Sequence, residues 1–201
     1  QAATFSLEKI GVKRPRIPDS LFVGDELGKG ANNKVMRARY NDRECVLRVP
    51  RRKSDTQQTG SALWELRHTM RAAQLGVAPM LLDAWWAKHA HHEWPSGLYF
   101  VSERLCHDLD TLLTEHPREA YEAHLESIGG NAVECLRLLA YDRLFVYDLK
   151  PSNMMVELLE EGSAYVRVID FGNDFCEWDV AGADTPCLLY TSDAADDLRG
   201  V

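Results

Sequence analysis

The 201-residue sequence has no C-x-x-C pair and no regular cysteine spacing; its five cysteines, Cys45, Cys106, Cys135, Cys176 and Cys187, are scattered. That speaks against a zinc ribbon or a disulfide framework and is in keeping with a reducing compartment, so a cytoplasmic location is the expectation. No apolar run approaches ~18 residues, so no membrane span is expected. Positive charge is in deficit: 23 Lys and Arg face 31 Asp and Glu, and the net charge of −8 argues against a nucleic-acid backbone as partner. Internal repeats and low-complexity tracts are missing. No secretory leader is visible, but the chain begins with Gln rather than Met, and its true N-terminus is expected to be absent. What is present, 45% hydrophobic and 27% charged residues, is enough for a packed core in one or two lobes.

The two ends read differently from the middle. Residues 1–18 are a lead-in segment with a basic cluster, Lys13-Arg14-Pro15-Arg16, read as a solvated linker in preference to a localisation signal. Residues 187–201 open with C-L-L-Y-T-S-D-A-A-D-D, which looks like the translation of a transposase-type sequencing adaptor. We therefore expect the native reading to stop near Pro186. Leaving out Asp193, Asp196, Asp197 and Arg199 keeps the charge negative.

The chain is organised around residues 146–172. Asp148 is followed by Lys150 and Asn153 in D-L-K-P-S-N, and Asp170 opens D-F-G. An Asp beside an acceptor hydroxyl can take its proton as a phosphoryl group arrives. Asn and a second Asp are hard oxygen donors suited to Mg²⁺. A Lys beside the base can neutralise charge on the moving phosphate. Residues 154–156 and 166–169 read as short strands flanking a turn, a rigid support for these groups. Each motif alone is weak; the two in this order and at this spacing are specific.

Upstream, residues 21–27 read as a strand, followed by Gly28-Lys29-Gly30-Ala31-Asn32-Asn33-Lys34-Val35 and a second strand to about residue 40. Glycines let backbone approach phosphates closely. Asn41-Asp42 makes a tight turn into a strand over 45–49. Residues 51–60 read as a polar loop. Residues 61–75 have a helical period through Leu63, Leu66, Met70 and Ala73, with Ser61 as cap and Gly76 as stop. Residues 80–86 and 98–105 read as strands. Between them, His89, His91, His92 and Glu93 fit no known metal spacing and are read as a hairpin loop. A short helix over 109–113 follows Asp108, residues 114–131 are poorly readable, and a helix is expected over 132–144.

D-L-K-P-S-N and D-F-G together resemble the catalytic and metal-binding loops of the protein-kinase family. The resemblance covers about residues 20–178. It implies an α+β, protein-kinase-like fold: a β-rich N-lobe and hinge over 19–105 and a partial helical C-lobe over 106–186, truncated after the D-F-G region. It implies ATP and Mg²⁺ as cofactors and a protein substrate phosphorylated on Ser or Thr. Asp148 would be the base, Lys150 a charge stabiliser, and Asn153 and Asp170 the metal ligands. Gly28, Gly30 and Val35 would cover the nucleotide. Arg48 would hold its phosphates, paired with Glu65. Ser102 would be a small gatekeeper, Glu103 and Leu105 would meet the adenine edge, and Asp108 the ribose unless it only caps a helix.

Several positions depart from the family pattern. Asn33 replaces the third loop glycine, and Arg48 replaces the strand-three lysine; its planar fork is not interchangeable with an ammonium. Lys34 is the substitute that with-no-lysine kinases would suggest, but strand alternation turns it away from Asn33 and Val35. Glu65 also reads simply as a first-turn acid favoured by the helix dipole, and Arg48 as a structural cation paired to a helix acid. Val146-Tyr147 replaces His-Arg before Asp148, which makes control by activation-loop phosphorylation unexpected, and no A-P-E follows. The parent protein is expected to be an active Ser/Thr kinase and the fragment itself inactive. The alternative is a pseudokinase, a nucleotide-binding or scaffolding module. A small-molecule kinase is disfavoured by Lys150.

Overall fold

The computed structural model describes residues 20–29, 33–51, 56–87, 95–172 and 176–178, with 56–61 and 176–178 as backbone only. Calls on residues 1–18, Gly30, the His89–Glu93 stretch and 187–201 lie outside it. The chain is α+β. Three strands come first: β1 (Leu21–Lys29), β2 (Asn33–Tyr40) and β3 (Arg43–Pro50). The β2–β3 turn is tight because Asn41 and Asp42 both take left-handed φ, 48° and 62°, a conformation these two residue types tolerate. Helix α1 (Thr56–Gln74) follows, then β4 (Leu81–Ala87) and β5 (Gly97–Glu103). These strands form one antiparallel sheet, ordered β1-β2-β3-β5-β4.

Alternation gives the sheet two apolar faces. Cys45, Leu47, Val49, Tyr99 and Val101 pack with Trp85 and Leu21 on one. Leu98 and Phe100 pack with Leu63 and Leu66 of α1 on the other.

The second half contains β6 (His107–Asp108), α2 (Leu109–Glu115) and α3 (Leu125–Tyr141), then β7 (Leu144–Val146), β8 (Met154–Leu158), β9 (Ala164–Val168) and β10 (Cys176–Trp178). β6, β8 and β9 form a three-stranded sheet, and β10 pairs with β7. Two short 3-10 turns, Arg118–Ala120 and Glu122–His124, precede α3. The halves share a core: Ala72, Val77 and Ala78 pack with Cys135, Leu139, Leu144, Val146, Val168 and Phe171. Among the described residues no helix is long and apolar enough to cross a membrane, and Cys45, Cys106 and Cys135 are free thiols.

Three expectations need correction. The polar stretch before Ser61 is helical from Thr56, so Ser61 lies inside α1 and does not cap it; Gly60 costs only about 1 kcal/mol in a helix and does not stop it. Consequently Glu65 is a mid-helix residue, and the first-turn dipole explanation for it falls. α3 starts at Leu125, not 132, because Ile128 is anchored in the core with Leu112, Val156 and Val166, which carries the helix through Gly129-Gly130. Leu144 belongs to β7 rather than to that helix.

Candidate functional site

The loop between β7 and β8 is built on backbone. Lys150 is extended, Pro151 starts the short 3-10 turn Pro151–Asn153, and the Asn153 N–H closes it on the Lys150 carbonyl at 2.9 Å. Proline suits that first position because its missing N–H would have no helical partner. Asn153 is almost fully buried. Its amide nitrogen donates to the Asp148 carbonyl at 2.8 Å and to Asp148 Oδ2 at 3.2 Å, which fixes the amide's orientation and leaves Oδ1 as its donor oxygen. Lys150 Nζ also donates to Asp148 Oδ2, at 2.5 Å. Asp148 Oδ1 has no partner among the described residues.

Asp170 reaches this loop through the main chain. The Ile169 N–H donates to the Asn153 carbonyl at 2.9 Å, and the Val168 N–H to the Val77 carbonyl at 2.7 Å. Asp170 then takes φ 68°, a left-handed turn that ends the strand direction, and Phe171 enters the shared core. The two motifs, far apart in sequence, are thus joined by one hydrogen bond next to both metal-ligand candidates.

On the sheet side, register aligns Gly28 with Val35, Val35 with Arg48, and Arg48 with Phe100. Cross-strand neighbours share a face, so Val35 and Arg48 lie together on the face covered by α1. Lys34 aligns with Val49 on the other face and pairs with Glu26 at 3.1 Å, as alternation predicts. Gly28 has open space where a Cβ would sit. Arg48 and Glu65 form an ion pair, and the Arg48 guanidinium stacks over the Phe100 ring at 5.1 Å. Burial pushes the Glu65 carboxyl up, Arg48 pulls it down, and the charge of Asp170 pushes it up again.

The remaining candidates are more occupied. Glu103 donates its N–H to the Met80 carbonyl, and its carboxylate accepts from the Met80 N–H, both at 2.9 Å. Leu105 lies past the end of β5, not in it, and is half-buried. Ser102 is buried opposite Val46. Asp108 caps α2: Oδ1 accepts from the Thr111 N–H at 2.9 Å and Oδ2 from its hydroxyl at 2.7 Å. Burial raises the Asp108 carboxyl, but these hydrogen bonds outweigh it and hold the group below its usual range. With both oxygens engaged, the capping explanation accounts for Asp108.

Among the described residues no group of three or more His, Cys, Asp or Glu side chains could hold a metal ion unaided. Asn153 and Asp170 supply only two oxygen positions. Such a sparse set suits Mg²⁺, which usually keeps several waters and takes the rest of its shell from substrate phosphates. Two residues that sequence reading passed over tie α1 to this region. His68, one helical turn beyond Glu65, is buried and hydrogen-bonds the Phe171 backbone. Arg71 forks onto Asp142 at the end of α3. The spacing of His68 from Glu65 was a usable signal; nothing in the sequence links Arg71 to Asp142. Compared with known proteins, the chain matches no family model and no curated protein.

Proposed function

We propose that the protein carrying residues 20–178 transfers the γ-phosphoryl group of ATP, with Mg²⁺, to Ser or Thr hydroxyls of a protein substrate, on a protein-kinase-like fold. The observation that carries this reading is the Ile169–Asn153 hydrogen bond. It sets Asp170 beside a loop in which Asn153 already holds Asp148. Asn153 and Asp170 would hold the metal, whose contribution is to neutralise charge on the nucleotide phosphates. Asp148 accepts the acceptor hydroxyl's proton at Oδ1, while Lys150, already on Oδ2, keeps the carboxylate oriented. As the bond from phosphorus to the ADP oxygen breaks, the bond to the hydroxyl oxygen forms, and Lys150 is within reach to offset charge there. Gly28, Val35 and Arg48 line the nucleotide side.

The second reading, a nucleotide-binding scaffold, is favoured by the Arg48 guanidinium, which is already engaged by Glu65 and Phe100. In the full-length parent, transfer of labelled γ-phosphate to protein Ser and Thr, compared with its Asp148→Asn variant, separates the readings. Loss of the base is expected to lower the rate by about 10²–10⁴-fold. Equal transfer by both proteins removes the enzymatic reading, and ATP binding without turnover selects the scaffold.

A further inference from the structure

Helix α1 carries Glu65; Leu63 and Leu66 seat it on the sheet and Ala72 seats its last turns in the shared core, while Arg71 lies on its exposed side. Glu65 and Arg71 are six residues apart, so they sit roughly 9 Å apart along the axis and about 120° apart around it. An ion pair on the exposed side adds to that packing in opposing a roll of the helix.

Arg71 Nε donates to Asp142 Oδ2 at 2.7 Å, and a second guanidinium nitrogen donates to Oδ1. A fork on a carboxylate fixes direction as well as distance. The anchor is firm: the Asp142 N–H donates to the Leu138 carbonyl and the Arg143 N–H to the Ala140 carbonyl, each at 3.0 Å. Asp142 is also misplaced by the logic of its own helix. It is the C-cap of α3, where the helix dipole disfavours a carboxylate. Arg71, in the last turn of α1, suits both helix ends. The Asp142 side chain is only 12% exposed, against 47% for Arg71, so the acid is enclosed and the arginine reaches over to it.

We propose that Arg71 and Asp142 are a positioning pair, a clamp that sets the rotation of α1 and so keeps Glu65 seated on Arg48. Its effect on nucleotide binding rests on the function proposed above; its effect on α1 does not. With Arg71 about half exposed, the pair contributes little to global stability, so the signature is local.

Amide hydrogen exchange on the whole chain tests the clamp in Arg71→Met, in the shape-preserving Asp142→Asn, and in the exchanged pair R71D/D142R. The single variants are expected to exchange about fivefold faster over residues 62–70, with β3 unchanged, and the exchanged pair to restore protection. Wild-type exchange over 62–70 in both single variants overturns the clamp, as does acceleration spread evenly over the chain. Titration with MgATP adds an affinity readout that should fall in the single variants and recover in the exchanged pair. If wild-type protein binds no MgATP, the nucleotide reading fails while the exchange result still decides the clamp.

Discussion

On the loop side of the site, Asp148 and Asn153 hang on main-chain hydrogen bonds, and the Ile169–Asn153 bond joins them to the strand leading into Asp170. On the sheet side, Arg48 and Glu65 hold one another, a charged pair set between a strand and a helix. The first arrangement survives exchange of an oxygen for a nitrogen at Asp148, because the backbone keeps the loop's shape. The second is more sensitive to loss of a partner, because the Glu65 carboxylate is buried and Arg48 is its ion-pair partner. Function and folding should therefore separate cleanly on the loop side and be entangled on the sheet side.

Substitutions that break or sharpen this contrast can be ranked. Glu65→Ala should be the most damaging, costing roughly 3 kcal/mol in urea unfolding, since it removes a buried carboxylate from its ion pair with Arg48. A cost near zero would mean that the pair contributes nothing and that both sides are built alike. Gly162→Ala comes next and probes the support behind the loop. Gly162 has φ +77°, and a Cβ there would lie 2.8 Å from the Ala123 carbonyl oxygen. A loss of about 2 kcal/mol in the same assay is expected.

His68, which links α1 to the Phe171 backbone, should reveal itself through pH. Burial lowers its pKa below the ordinary 6.5, partly offset by the hydrogen bond to Phe171. A depressed folded-state value means that the unfolded chain takes the proton first. The stability this group contributes is thus present above pH 6.5 and lost as pH falls through the folded-state value, with a slope of at most about 1.4 kcal/mol per pH unit. Stability measured from pH 8 downward should show this loss in wild type and not in His68→Gln. The smallest effect is expected for Gly28→Ala. With open space at that position, unfolding free energy should stay within about 0.5 kcal/mol. A fall in ATP affinity would then report the ligand's approach rather than a damaged fold.

Much of the sheet was legible. The Asn41-Asp42 turn, the alternation through Cys45, Leu47 and Val49, and the placing of Lys34 away from Val35 all follow from residue type and period two. The helices were read short because residues 51–60 are polar and 114–131 carry no clear period; in α3 the start is set by tertiary contacts such as that of Ile128. The buried side of α1 is wider than the apolar period shows. The hydrophobic count rightly picks Leu63 and Leu66, and Met70 and Ala73 pack half-buried beside them, but Glu65, His68 and Thr69 are buried as well, each a polar residue that pattern alone assigns to solvent. Within the site, Asp148, Lys150 and Asn153 are close in sequence and were found together. The bond that brings Asp170 to them is made by backbone and leaves no mark in side-chain identity.

Calorimetric titration with ATP, with and without Mg²⁺, of wild type and Asp170→Asn addresses the proposed site most directly. Binding that requires Mg²⁺ in wild type and is lost in Asp170→Asn is the predicted result. No binding by wild type, or equal binding in both proteins regardless of Mg²⁺, would contradict it.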